Sequence, residues 1–247
     1  MPTGQDRIAS LAVLLALAAG FSPPFCAAQE ARANLTASQI VEHVRLNTKS
    51  QNDDLKHYKA LRHYQVEYRG FSTKVDAEMD VEVSYDTGAG KNFRIVSESG
   101  SKTLREKVLR RALESEEEAA QDKASTALSE ANYRFQLLSS ENLEGRQAYV
   151  LNVEPLTASK FLYRGKIWVD AVDFAVVKME TEPAKSPSFW IARTLIHYTG
   201  AKTGSFWLPQ QVRSETHVRV GGTAVMTIDY GSYDVIPETA TQAAVSR

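Results

Sequence analysis

From Arg62 onward the chain alternates. Tyr64, Val66 and Tyr68 fall on one side of an extended backbone, and His63, Gln65, Glu67 and Arg69 on the other. After a turn at Gly70, Met79, Val81, Val83 and Tyr85 alternate with Glu78, Asp80, Glu82 and Ser84. A period of two gives a strand one apolar face, so this segment predicts a hairpin with one side buried and one side wet. Residues 91–97, introduced by Gly88-Ala89-Gly90, predict a third strand, and seven more follow near 133–139, 147–153, 161–170, 174–182, 189–199, 205–219 and 223–234. The connections at Glu144-Gly145, 170–173, 200–204 and Gly221-Gly222 suit antiparallel neighbours. An antiparallel sheet of about ten strands cannot stay flat, because strand twist makes it coil.

Two segments have helical spacing instead. Thr36 and Gln39 have the spacing of a capping box, with Leu35 and Ile40 as its hydrophobic staple. Ile40, Val41 and Val44 then form one apolar stripe, which Leu55 and Tyr58 resume after the polar run 47–54, so one helix with a break is expected. Residues 103–131 predict a second helix, with Leu104, Val108, Leu109, Ala112 and Leu113 near one face. Its early Arg105, Lys107, Arg110 and Arg111 and later Glu114, Glu116, Glu117 and Glu118 oppose the helix dipole. That order calls for either a break near Ser115 or tertiary partners that override the end effects. The expected architecture is α+β: a curved antiparallel sheet, an open half-barrel of about ten strands, covered on its concave face by the N-terminal and mid-chain helices.

The first 28 residues read as a cleavable signal peptide. Arg7 ends a short polar lead, residues 8–21 are apolar, Pro23-Pro24 break any helix, and Cys26-Ala27-Ala28 offers small residues for cleavage after Ala28. The apolar run is too short for a bilayer span, which takes about 20 residues. The bulky Pro23-Pro24-Phe25 before the cysteine argues against a lipoprotein signal. Cys26 is the only cysteine, so the processed chain has no disulfide framework and depends on a buried core. Residues 29–236 are expected to form a single domain and 237–247, poor in apolar residues, a disordered tail. The leader predicts export into the envelope. The chain carries 29 Lys+Arg and 30 Asp+Glu, and losing Asp6 and Arg7 with the leader keeps that near-balance. Nothing in it favours nucleic acid, whose binding rests on a basic surface.

Catalytic templates find no match. There is no Gly-x-Ser-x-Gly motif, and Gly88-Ala89-Gly90 is followed by neither a third glycine nor a helix. His43, His57, His63, His197 and His217 share no metal-ligand spacing on a helix, although His197 and His217 could approach across adjacent strands. Asp76, Glu78, Asp80 and Glu82 fall on one strand face and read as a solvated outer surface partly paired with Arg69 and its neighbours, not as a calcium loop. No metal, no cofactor and no catalytic residue is expected. Trp168, Phe174, Phe189, Trp190, Tyr198, Phe206, Trp207 and Tyr230 concentrate in the C-terminal strands. They either fill a sheet-helix core or line an apolar cavity suited to acyl chains.

The stretch Tyr163-Arg164-Gly165-Lys166-Ile167-Trp168-Val169-Asp170, followed by Phe174-Ala175-Val176-Val177-Lys178-Met179-Glu180 and by Phe206-Trp207-Leu208-Pro209, resembles the outer-membrane lipoprotein-sorting protein family, the LolA/LolB-like periplasmic lipoprotein carriers. The likeness extends over most of 35–236, with its specific part in 163–235. Tyr64–Tyr68 stands where typical carriers have an aromatic-rich, proline-containing strand. The resemblance implies a half-barrel whose apolar interior takes up lipid chains without catalysing a reaction. The matching inward positions would be Ile167, Val169, Trp190, Ile196, Met226 and Ile228, with the concave face itself left open. The implied function is a non-enzymatic carrier or binding protein that shelters the acyl chains of lipids or lipid-modified proteins during transfer towards the outer membrane. A monomer is expected, in transient contact with membrane-bound donor and acceptor proteins. The alternatives are an envelope sensor or interaction domain with no transported ligand and, with no motif behind it, an enzyme acting on envelope lipids or glycans.

Overall fold

The structure is a computed structural model that describes residues 35–186, 188–219 and 221–237. The expected signal peptide and residues 238–247 of the expected tail lie outside the described residues. The chain begins with α1 (Ala37–Asp54), then β1 (Leu55–Arg69), β2 (Lys74–Asp86) and β3 (Gly90–Gly100). A helical stretch follows: α2 (Lys102–Leu104), a π-helical turn (Arg105–Leu109), α3 (Arg110–Gln121) and α4 (Lys123–Thr126). Seven strands complete the chain: β4 (Tyr133–Leu143), β5 (Arg146–Pro155), β6 (Tyr163–Asp170), β7 (Val176–Pro183), β8 (Ile191–Thr203), β9 (Phe206–Val218) and β10 (Thr223–Pro237).

All ten strands join one antiparallel sheet in the order β3-β2-β1-β10-β9-β8-β7-β6-β5-β4. β3 and β4 stand at opposite edges, so the sheet is not closed. The helices between them therefore carry the chain from one edge to the other, and β10 returns to pair with β1 in the middle.

Every strand contributes alternate residues to the face that the helices cover. In β1 these are Tyr58, Ala60, Arg62, Tyr64 and Val66, and their β2 partners are Tyr85, Val83, Val81, Met79 and Ala77. Two apolar clusters divide this inner face. Leu109 and Leu113 pack with Tyr64, Val66, Met79, Val81 and Ile228. Ile40, Val41 and Val44 of α1 pack with Tyr149, Leu151, Val153, Ile167 and Val169. Ile40 and Ile167 are among the fully buried side chains, and each such burial is worth about 1.5–3 kcal/mol. On the outer face Trp168 joins Ala148 and Val150, and its indole N–H donates to Glu141 at 2.8 Å.

α1 starts at the expected cap: the Gln39 amide donates to Thr36 Oγ1 at 3.3 Å, and the Thr36 amide to Gln39 Oε1 at 2.9 Å. It ends at Asp54, and the expected helical resumption at Leu55 and Tyr58 is β1 instead. Their three-residue spacing imitated a helix. Tyr58, Ala60 and Arg62 in fact alternate inward, but a small residue and a charged one hid the apolar period. Nor does the mid-chain helix break at Ser115: α3 runs through it to Gln121, and residues beyond 126 are not helical. Tertiary partners answer its inverted charges. Glu98 of β3 accepts from Arg110 at 2.8 Å and Arg105 at 3.4 Å, while Glu116 is held from the sheet side. The distortion falls earlier, where the Arg110 amide reaches back five residues to the Arg105 carbonyl.

Candidate functional site

A cleft of about 680 Å³ opens between the C-terminal end of α1, α3 and the inner face of the sheet. Its apolar wall is Leu55, Tyr58, Tyr85, Phe93, Leu208 and Tyr233, and its polar wall includes Asn52, Arg62, Lys91, Glu116 and Glu117. Tyr58 stacks on Tyr85 with ring centroids 5.3 Å apart and meets Tyr233 edge-on at 5.6 Å. The Tyr233 hydroxyl donates to the Pro209 carbonyl at 2.9 Å, which fixes that ring against β9. A smaller hollow of about 230 Å³ lies on the other side of Leu55 and Leu208, bordered by Gln51, Ala175, Val176 and Trp207.

Arg62 anchors the polar wall. It occupies an inward position of β1 and is 2% exposed. Its guanidinium donates to Glu116 Oε2 at 2.7 Å and Oε1 at 3.4 Å, and sits over the Tyr230 ring, 4.6 Å from the centroid. Arg62 Nε is buried and has no hydrogen-bond partner. Lys91 Nζ donates to the same Glu116 at 2.6 Å, so one carboxylate of α3 answers two cations of the sheet. Burial works against both charges of the Arg62–Glu116 pair. Their mutual attraction, with Lys91 adding to it, outweighs that cost, so the guanidinium is held above its ordinary value and the Glu116 carboxyl below its own. Burial pushes the neighbouring Tyr64 and Tyr230 hydroxyls up, keeping both neutral. The site therefore joins an aromatic, desolvated wall to a single buried cation whose counter-ion comes from the covering helix.

The six residues expected to face a cavity are dispersed. Ile167 and Val169 are buried on β6 beneath α1. Ile228 is buried and Met226 half-buried in the cluster beneath α2 and α3, and Ile196 is half-buried on β8 between the two clusters. These five share the inner face of the sheet. Trp190 lies in the β7–β8 loop and is 59% exposed. None of the six borders the larger cleft. Sequence reasoning missed Tyr58, Tyr85, Phe93 and Tyr233 as a set because they come from four different strands. Arg62 carried a signal of its own, a cation two residues before Tyr64 on an apolar period.

The polar clusters resolve as structure. Among the described residues no group of three or more His, Cys, Asp or Glu is arranged to hold a metal ion. His197 pairs with Arg213 across the β8–β9 ladder while His217 pairs with Arg193, so the two histidines are not neighbours. The β2 carboxylates lie on the outer face: Glu78 accepts from Gln65, Glu82 from Arg94, and Asp80 from Ser97 at 2.6 Å with His63 at 2.8 Å. With Asp80 between Ser97 and His63, the serine has no imidazole base, the reverse of a hydrolase triad. Asp173 accepts from Arg146, Lys202 and the Trp207 indole, and together with Asp170 it builds the β6–β7 turn.

No helix among the described residues is long and apolar enough to cross a membrane. No family model matches the sequence, and no curated protein matches it. Among solved structures the chain is similar to a LolA superfamily protein from Nitrosomonas europaea, at 11% identity over 81% of this chain and 93% of that one, with a TM-score of 0.35. It is similar to a DUF1329 family protein from Desulfovibrio piger, at 11% identity over 79% and 92% of the two chains, TM-score 0.38. A third likeness is to the Pseudomonas aeruginosa MucA/MucB complex, at 12% identity over 83% and 96%, TM-score 0.25.

Proposed function

We propose that this chain is a non-enzymatic periplasmic carrier or binding protein for lipids or lipid-modified proteins, and that it shelters an acyl chain in the cleft between α3 and the sheet. The observation that supports this reading is the cleft itself. About 680 Å³ remains open beside Tyr58, Tyr85, Phe93 and Tyr233, a volume usual for a small-molecule site. Each methylene moved from water into such a site is worth about 0.8 kcal/mol, so an acyl chain reaches useful affinity through burial alone. Arg62 supplies the polar end of the site and Glu116 closes it, so α3 acts as a lid tied to the sheet by that ion pair. When the lid yields, the inner face continues from the cleft towards Ile228, Met226 and Ile196, giving a longer chain room to run.

The test is native mass spectrometry of protein recovered from an envelope, together with titration of cis-parinaric acid into the lipid-free chain. Co-purified lipid and saturable fluorescence enhancement are the expected results. Absence of both would overturn the carrier reading and leave the envelope sensor or interaction domain in its place.

A further inference from the structure

Three loops meet at one end of the sheet. The β1–β2 loop carries Phe71, the β7–β8 loop carries Phe189 and Trp190, and the β9–β10 loop carries Arg219 and Gly221. The pairing of Arg69 with Thr223 and of Ile191 with Val218 brings them together. The Arg219 amide donates to the Trp190 carbonyl at 2.8 Å, and the Tyr68 hydroxyl to the Gly221 carbonyl at 2.8 Å. Phe71 lies so close over Gly221 that a Cβ there would sit 2.5 Å from its ring. Arg219 stacks on Phe189 at 5.4 Å, and Phe189 meets Trp190 edge-on at 5.7 Å. The aromatic side chains thus gather around the β9–β10 turn, yet Phe71 is 96% exposed and Phe189 77% exposed. No fold requirement places three large aromatic side chains at loop tips in water.

We infer that this end of the sheet docks on an anionic lipid bilayer, with Phe71, Phe189 and Trp190 entering the interfacial layer and Lys185 and Arg219 meeting lipid phosphates. Charge identifies the occupant. Lys185 and Arg219 are exposed, and the loops 70–73, 184–190 and 219–222 contain no Asp or Glu. Of the carboxylates nearest the loops, Glu67 is paired with Arg69 and Lys74, Glu182 with Arg193 and Glu215 with Arg213, while Asp76, opposite Glu67, is exposed. Cations beside exposed Trp and Phe match the headgroup region, where an amphipathic ring finds both its environments and anionic lipid attracts each Lys or Arg. Projecting tips also suit a fluid surface better than a rigid partner, which would need a pocket for each ring. The inference is independent of what the cleft binds.

Cosedimentation of the full chain with vesicles of phosphatidylglycerol and phosphatidylcholine in equal parts, and with phosphatidylcholine alone, tests it. The apolar segment 8–21 is common to all variants, and the triple-serine variant on phosphatidylcholine alone reports the binding that this segment contributes. Phe71→Ser combined with Phe189→Ser and Trp190→Ser is expected to weaken binding to the anionic vesicles by about tenfold or more, since even partial burial of one such ring carries that much free energy. Lys185→Gln with Arg219→Gln is expected to remove the preference for phosphatidylglycerol. The altered side chains are exposed, so the urea midpoint should not move. Ala120 borders the cleft from α3, and Ala120→Trp, which obstructs it, should leave vesicle binding intact; loss of binding there would mean that ligand uptake, not docking, drives association. Wild-type binding by the triple-serine variant would overturn the inference. So would a wild-type dimer, seen by analytical ultracentrifugation, that the same variant converts to monomer, because the patch would then belong to a second copy of the chain.

Discussion

Arg62 and Glu116 meet across 54 residues of sequence, the guanidinium on the inner face of β1 and the carboxylate on α3, at 2.7 Å. One partner is 2% exposed and the other 29%, so the pair spans the boundary between core and cleft. Removing Glu116 strands a buried cation, a change that costs about 3–5 kcal/mol in comparable pairs. With Lys91 relieved of its own partner rather than buried with it, Glu116→Ala should fall near the lower end, about 3 kcal/mol. Arg62→Met together with Glu116→Leu should recover most of the loss, because no charge then remains to desolvate. Urea unfolding of the three chains measures this. A double variant no more stable than Glu116→Ala would show that the pair is not coupled.

Stability should fall at both ends of the pH scale, for opposite reasons. Burial raises the Glu116 and Asp170 carboxyls, but Lys91 and Arg62 pull Glu116 down, and Arg146 and the amides of Asp173 and Val172 pull Asp170 down, so both end below their ordinary values. Their contribution is complete above the unfolded carboxylate range, about pH 4, and is lost as the pH falls through the depressed folded values. Burial pushes Tyr198 up to about 12 and also raises Tyr163 and Tyr230. Their neutral burial stabilises fully below the unfolded tyrosine value of about 10 and is lost as the pH rises beyond it. Urea midpoints measured against pH should be flat between these limits. Glu116→Gln should flatten the acid limb and Tyr198→Phe the alkaline one; an unchanged slope in either variant would contradict the assignment.

Gly165 and Gly204 both have positive φ, at +134° and +61°, but only one is crowded. A Cβ at Gly165 would sit 2.4 Å from the Glu180 carbonyl oxygen on β7, whereas nothing lies within 4 Å of one at Gly204. Gly204→Ala should cost about 1 kcal/mol, from backbone conformation alone. Gly165→Ala adds displacement of a neighbouring strand and should cost about 2–4 kcal/mol. Thermal or urea denaturation of the two variants separates the effects, and equal losses would mean that β6 and β7 part more easily than their spacing indicates.

The sheet was legible in the sequence because its signal is local. Tyr64, Val66, Met79 and Val81 announce their faces by alternation, and Thr36 with Gln39 marks the start of α1 residue by residue. Misreadings arose where a long-range partner decides. Leu55 and Tyr58 look helical until β2 and β10 are present to pair with them. The basic start of the mid-chain helix looks wrong until Glu98 approaches it from β3. The cleft was invisible for the same reason: Tyr58, Tyr85, Phe93 and Tyr233 become neighbours only through register, and a cavity is defined by what the surrounding side chains fail to fill. Ile167 and Val169 show the converse, since their inward direction follows from period two while α1 decides what covers them.

Ala120 offers a way to close the cleft without disturbing the core. It borders the opening from α3 and is itself exposed, so replacing it should change stability by no more than about 0.5 kcal/mol. An indole at that position projects into the space an acyl chain would take, opposite Tyr85 and Phe93. Ala120→Trp should therefore weaken cis-parinaric acid binding by about tenfold, equivalent to about 1.4 kcal/mol. Ser115→Trp, on the same helix but away from the opening, should bind as the unaltered chain does. If both variants bind alike, the acyl chain lies elsewhere on the inner face, and the strip around Ile196 and Met226 becomes the place to substitute next.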